Sequence, residues 1–156
     1  MNIFINKKKR ILVVDDSEID LDLVEMMLQD KYNILPTKSG KEALDYLLHY
    51  NNVDLILLDL IMPEMDGWET FSRIKDLGII NNVPIAFLTS VHGIEEQNHA
   101  KEIGAADYIF KPYTKEELHK RIKAIIKKNK NHIERKYFAE TMYKDTLEDK
   151  EDICAA

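Results

Sequence analysis

Cysteine is nearly absent from this chain: Cys154 is the only one in 156 residues, so no intrachain disulfide can form and a cytoplasmic compartment is the expectation. Long apolar runs are missing too. No stretch approaches the roughly 20 residues a membrane helix needs, and Met1 to Asn6 is too short for the core of a signal peptide, so no membrane partner is expected. Positive charge is in deficit. A formal net charge of -6 argues against a general nucleic-acid grip, which depends on neutralising phosphates with Lys and Arg. Lys7-Lys8-Lys9-Arg10 is a short exception and reads as a solvated edge leading into the first strand. His49, His92, His99, His119 and His132 share no metal-ligand spacing and read as solvated surface positions. By its length the chain is one domain that can bury about two thirds of its unfolded surface without a disulfide or metal staple.

What is present is an alternation of short apolar runs with stretches of helical period. Ile11 to Val14 reads as a strand, and Ser17 to Gln29 as a helix with Ile19, Leu23, Met26 and Met27 on its apolar face. Tyr32 to Pro36 is a weaker strand. Ser39 and Glu42 form a capping box opening a helix with a stripe of Ala43, Leu44, Leu47 and Leu48. Leu55 to Leu58 is the third strand, followed after Gly67 by a helix carrying Trp68, Phe71, Ile74 and Lys75. Pro84 to Thr89 is the fourth strand, and Ile94 to Ile103 a more polar helix stopped by Gly104. Asp107 to Phe110 is the fifth strand. Thr114 and Glu117 cap a last helix with a stripe of Leu118, Ile122, Ile125 and Ile126. Five βα units of this kind predict an α/β, doubly wound parallel sheet with right-handed crossovers and helices on both faces. The first and third strands are continuously apolar, as central parallel strands should be. The order 2-1-3-4-5, one of two common solutions, makes those two strands neighbours at the switch point where ligands sit.

Asp15 and Asp16 end the first apolar run and Asp59 ends the third. A charged carboxylate at the mouth of a buried strand is costly unless something offsets it. Taken singly, each reads as a cap for the helix that follows. In the order 2-1-3-4-5 the three converge, and such crowding is relieved by a hard divalent cation with oxygen ligands, Mg2+ above all. Thr89 and Lys111 end the fourth and fifth strands on the same rim. A hydroxyl donor and an ammonium beside a carboxylate-held metal suit phosphoryl groups, and with Asp59 as nucleophile the product is an aspartyl phosphate.

Asp15-Asp16, Asp59 with Met62-Pro63 and Asp66-Gly67, Leu88-Thr89-Ser90, and Gly104 to Tyr108 through Lys111-Pro112 together resemble the receiver domain of two-component response regulators. The resemblance covers residues 8 to 128 and implies a flavodoxin-like (βα)5 fold. It implies that Asp59 accepts a phosphoryl group from a sensor histidine kinase or histidine phosphotransfer protein. Asp16 and Asp59 would ligate Mg2+ with the backbone carbonyl of Ile61, and Asp15 would act largely through water. Thr89 and Tyr108 match the switch pair, Ser90 the small position beside the acyl phosphate, and the Lys111-Pro112 bond would be cis. Beyond self-phosphorylation and self-dephosphorylation, such a domain is a switch rather than an enzyme. Its output is contact with a downstream protein, through the fourth helix, fifth strand and fifth helix.

Residues 129 to 156 are too few for a helix-turn-helix output domain, so direct nucleic-acid binding is not expected of the chain. Ile133, Tyr137, Phe138, Met142 and Leu147 make an irregular apolar stripe without a sustained heptad. A frayed extension of the last helix with a disordered acidic end is the first expectation, and a docking or dimerising helix, giving a homodimer, the sharper alternative. A phosphohydrolase of the haloacid dehalogenase type is the rival reading. It usually places a second Asp two residues after the nucleophile, and that position is Ile61. A third reading makes the chain a receiver fragment of a larger regulator or hybrid kinase.

Overall fold

A computed structural model describes residues 7–78 and 81–154, with residues 144–154 described by backbone only. Five parallel strands alternate with five helices: β1 (Arg10–Val14), α1 (Glu18–Leu28), β2 (Asn33–Thr37), α2 (Gly40–His49), β3 (Leu55–Leu58), α3 (Gly67–Asp76), β4 (Ile85–Thr89), α4 (Ile94–Glu102), β5 (Asp107–Phe110) and α5 (Lys115–Cys154). The strand order is β2-β1-β3-β4-β5, the one of the two common solutions that brings the acids together.

Strand alternation divides the interior in two. Ile11, Val13, Leu55, Leu57, Ala86 and Leu88 face one side, where Leu21, Val24 and Leu28 of α1 and Leu118, Ile122 and Ile125 of α5 cover them. Leu12, Val14, Ile56, Leu58, Ile85 and Phe87 face the other, against Ala43 and Leu47 of α2, Phe71 and Ile74 of α3 and Ala100 of α4. Each fully buried aliphatic or aromatic side chain contributes on the order of 1.5–3 kcal/mol of transfer free energy, so these two layers hold the strand ends in place. Pro36 lies in β2, an edge strand, where its missing N–H leaves no central ladder bond unmade.

The helix starts follow their capping residues. Ser17, Ser39, Asp66 and Thr114 accept hydrogen bonds from the N–H groups of Asp20, Glu42, Glu69 and Glu117. Glu42 returns its bond to the N–H of Lys38, one residue before the cap.

Two expectations need correction, the apolar helix faces and the histidines. The buried face of α1 is Leu21, Val24 and Leu28, whereas Ile19 and Met26 are exposed and Leu23 and Met27 half-buried; in α2, Leu48 is exposed. His119 is not a solvated position: its Nε2 lies 3.0 Å from the Met27 carbonyl and 3.5 Å from Asp30, and its ring stacks on Tyr32. His92 is exposed but engaged, stacking on Phe110 with ring centroids 4.5 Å apart. The extension continues the last receiver helix through Cys154. Ile133, Tyr137 and Phe138 on it are exposed, and the side chains of Leu147 and Cys154 lie outside the described residues. Among the described residues no helix is long and apolar enough to cross a membrane.

Candidate functional site

The parallel register sets the site. Val14 pairs with Leu58 and with Thr37, and the ladder runs one residue further: Asp59 N–H donates to the Val14 carbonyl at 2.9 Å and Asp15 N–H to the Thr37 carbonyl at 3.1 Å. Both carboxylates are thereby fixed just outside adjacent carboxyl ends of the sheet, at the β1/β3 switch point. Asp15, Asp16 and Asp59 each offer an oxygen within 4.8 Å of the others, Asp15 and Asp59 buried and Asp16 exposed. Asp15 Oδ1 accepts from the Ser17 N–H at 2.9 Å, and Asp59 Oδ1 from the Leu60 N–H at 2.8 Å. Each acid is thus oriented by the turn that leaves its strand.

The return of the chain after Asp59 depends on Gly67. Its N–H donates to the Leu60 carbonyl at 2.8 Å, and a Cβ there would lie 2.3 Å from the Asp59 carbonyl oxygen. Only glycine lets the start of α3 approach this closely, which explains the Asp66-Gly67 pair: the aspartate caps the helix and the glycine admits it.

Lys111 closes the crevice from β5. Its Nζ lies 2.6 Å from Asp15 Oδ2, 3.0 Å from Asp20 Oδ2 and 3.7 Å from Asp59 Oδ2. The Lys111-Pro112 peptide bond is cis. Burial disfavours the ammonium, but hydrogen bonds to Asp15 and Asp20 and the charges of Asp59 and Asp15 outweigh it and hold Lys111 well above the usual lysine range. For Asp59 burial is the largest influence and pushes the carboxyl up. Lys111 pulls it down, Asp15 pushes it up again, and hydrogen bonds from the Leu60 N–H and from Thr89 pull down, leaving it above the ordinary aspartate value. The Tyr113 hydroxyl, next to the same cluster, is pushed up to about 12, by burial first and, against Lys111, by Asp20, Asp15 and Asp59.

Thr89 is fully buried at the end of β4, and its Oγ1 also accepts from the Val91 N–H at 3.2 Å. Tyr108 is buried in β5 with its hydroxyl donating to the Val91 carbonyl at 2.9 Å. Ser90 is exposed beside Thr89, and Ile61 is exposed in the β3–α3 loop, two residues after Asp59. The structure therefore brings Asp15, Asp16, Asp59, Thr89 and Lys111 onto one rim, with Tyr108 one loop away. Asp20 and Tyr113 were not picked out from the sequence. Asp20 had a weak signal, being a further acid in the first helical turn after Asp15-Asp16. Tyr113 had none beyond its place two residues after Lys111.

A set of hard oxygen donors around one point beside a buried ammonium suits a divalent cation and a phosphoryl group. A probable cyclic di-GMP phosphodiesterase of Vibrio cholerae serotype O1 is 41% identical over 102 residues, which are 65% of this chain and 23% of that protein. The cell cycle response regulator CtrA of Brucella ovis is 35% identical over 124 residues, which are 79% of this chain and 52% of that protein. The chain therefore spans about a quarter to a half of the length of these relatives. Among solved structures, the CheX-CheY-BeF3-Mg2+ complex from Borrelia burgdorferi matches with a TM-score of 0.69 at 27% identity, covering 75% of this chain and 88% of that one. The family model for the response regulator receiver domain matches residues 11–123, so the rim of acids, threonine and lysine sits in a chain that belongs to the response regulator receiver family.

Proposed function

We propose that the chain is a phosphorylation-dependent signalling switch in which Asp59 takes a phosphoryl group from a phosphohistidine of a sensor histidine kinase or histidine phosphotransfer protein. The observation that carries this reading is the convergence of Asp59, two further carboxylates and the Lys111 ammonium at the β1/β3 switch point. An Asp59 oxygen attacks phosphorus as the P–N bond breaks, and the bonding pair leaves with the imidazole nitrogen. The product is an acyl phosphate. Lys111 neutralises phosphoryl oxygens and the Thr89 hydroxyl donates to one of them. The donor set fits Mg2+, which Asp15, Asp16, Asp59 and the Ile61 carbonyl would hold. When bound, that ion offsets the carboxylate crowding and the charge of the entering phosphoryl group.

The switch element is the loop after β4. Thr89 Oγ1 and the Tyr108 hydroxyl both bond to the backbone of Val91, so drawing Thr89 toward a phosphoryl group disturbs the anchor of Tyr108. A ligand that Thr89 and Lys111 hold in one arrangement only shifts the population of the surface formed by α4, β5 and α5. The output of the chain is then contact with a downstream protein, from a cytoplasmic receiver unit of residues 8–128 extended by residues 129–156.

Acetyl phosphate with Mg2+ should label the protein at one acid-stable, base-labile site, mapped by peptide mass spectrometry to Asp59. Protein that stays unlabelled, or label on another residue, overturns the reading. Sustained release of phosphate from phosphoesters would mark a phosphohydrolase instead.

Removing residues 131–156 should leave the labelling rate unchanged within about twofold. Every proposed site residue lies in the five βα units, and Leu118, Ile122 and Ile125, which dock α5, all precede the cut. Labelling kinetics, thermal unfolding and native mass together check this. A collapse of stability would show that the extension docks on the body, and a halved mass that it holds a homodimer.

A further inference from the structure

We propose that Asp20 is a positioning residue that holds the Lys111 ammonium on the α1 side of the crevice, so that an entering phosphoryl group must draw Lys111 away from it. This rests on the phosphorylation reading above. The Lys111 Nζ is closer to Asp15, at 2.6 Å, and to Asp20, at 3.0 Å, than to Asp59, at 3.7 Å. Lys111 therefore leans away from the carboxylate that would carry the phosphoryl group.

The two carboxylates on that side are not equivalent. Asp15 belongs to the acid trio that fits a cation, and its side chain is only 5% exposed, so it cannot be left without a positive partner cheaply. Asp20 stands outside the trio and its side chain is 35% exposed, so water takes over its charge when Lys111 leaves. Asp20 is thus the partner that can be exchanged. Its location is fixed by the cap of α1, where its N–H donates to Ser17 Oγ at 3.3 Å. It also adds negative charge at the mouth an anionic donor must enter. Competition for Lys111 and repulsion of the donor act in the same direction, both weakening the hold on an entering phosphoryl group.

Asp20 also suits the first turn of a helix as an acid facing the positive end of the macrodipole. That role alone would show in stability and not in donor binding. Glu18 separates the two, because it sits in the same turn with the same charge but pairs with Lys38 rather than Lys111.

The experiment measures acetyl phosphate labelling of the full chain at saturating Mg2+, comparing native protein with Asp20→Asn, Asp20→Glu and Glu18→Gln. For Asp20→Asn the half-saturating acetyl phosphate concentration should fall about three- to fivefold, the fold-change a partly solvated charge pair is worth, with the maximal rate little changed. Asp20→Glu should stay near native, and Glu18→Gln should not shift. The midpoint for stabilisation by beryllofluoride with Mg2+ should fall in parallel in Asp20→Asn. An unchanged or higher half-saturation in Asp20→Asn overturns the inference, as does an equal fall in Glu18→Gln, which would reduce the effect to the general field of the turn. A native protein that takes no label overturns the phosphorylation reading and this inference together. Native labelling matched by Asp20→Asn overturns this inference alone.

Discussion

Asp59→Asn should abolish phosphoryl labelling outright and, in metal-free protein at neutral pH, should unfold at a higher temperature than the native chain. The first outcome follows from chemistry: the amide oxygen is too poor a nucleophile to form the acyl phosphate, and no other carboxylate on the rim is held at the same strand end. The second follows from burial. Burial, with Asp15 adding to it against the pull of Lys111, raises the Asp59 carboxyl above its ordinary value of 3.8. A carboxylate whose folded value lies above its unfolded one binds its proton more tightly in the folded state, so stability falls as pH rises between the two values. Above both, the cost of burying the charge is present in full. A neutral amide of the same shape removes that cost, and Lys111 keeps the nearer carboxylates of Asp15 and Asp20. The gain should vanish below about pH 3.8, the ordinary value, where Asp59 is protonated in both states. Thermal melts in chelator across that range check the sign. Added Mg2+ should reverse the ranking, since an ion at a hundredfold its dissociation constant stabilises the native chain by about 2.7 kcal/mol while the variant loses one of its ligands.

The same strand-end logic explains why so much of the site could be read without coordinates. Asp15, Asp59, Thr89 and Lys111 each follow an apolar run, and in a parallel sheet all carboxyl ends lie on one edge. Knowing that the runs are strands, and in which order, is enough to gather them. Asp20 could not be gathered this way. It stands on a helical turn, and which side of α1 faces Lys111 depends on how the helix packs. The packing of α1 was also where the apolar pattern misled. Ile19, Leu23, Met26 and Met27 follow a helical period, but so do Leu21, Val24 and Leu28; the second set is the buried one, and Met27 of the first packs only partly against the same core. A helix with apolar residues on two faces leaves that choice to tertiary contacts. His119 was missed for a related reason. It neighbours Leu118, the first core residue of α5, and this places its ring against Tyr32 and the carbonyl end of α1, a contact no metal-ligand spacing encodes.

The phosphorylated state should be long-lived for a receiver, and Ile61→Asn combined with Val91→Glu should shorten it by about ten- to hundredfold, or roughly 1.4–2.7 kcal/mol of barrier. Hydrolysis needs a water aligned behind phosphorus, and hydrogen-bonding or general-base side chains beside its approach supply the alignment. The resemblance to receivers puts two positions there, two residues after the phosphoacceptor and two after the switch threonine, occupied here by Ile61 and Val91. Neither can orient water. Ile61, two residues after Asp59, is 65% exposed, so it is not packed into the core. Val91 packs partly on the core, and its backbone is held by the Thr89 and Tyr108 hydroxyls. The nearby His92 does not substitute for them, because its ring is stacked on Phe110 and its Nε2 lies 3.2 Å from the Lys111 carbonyl. Decay of the label should be followed in native protein and in the double variant, with melting temperatures recorded because Val91 touches the core. If the two decay alike while both remain folded, these side chains do not gate the water, and the lifetime is set elsewhere on the rim or by a separate phosphatase.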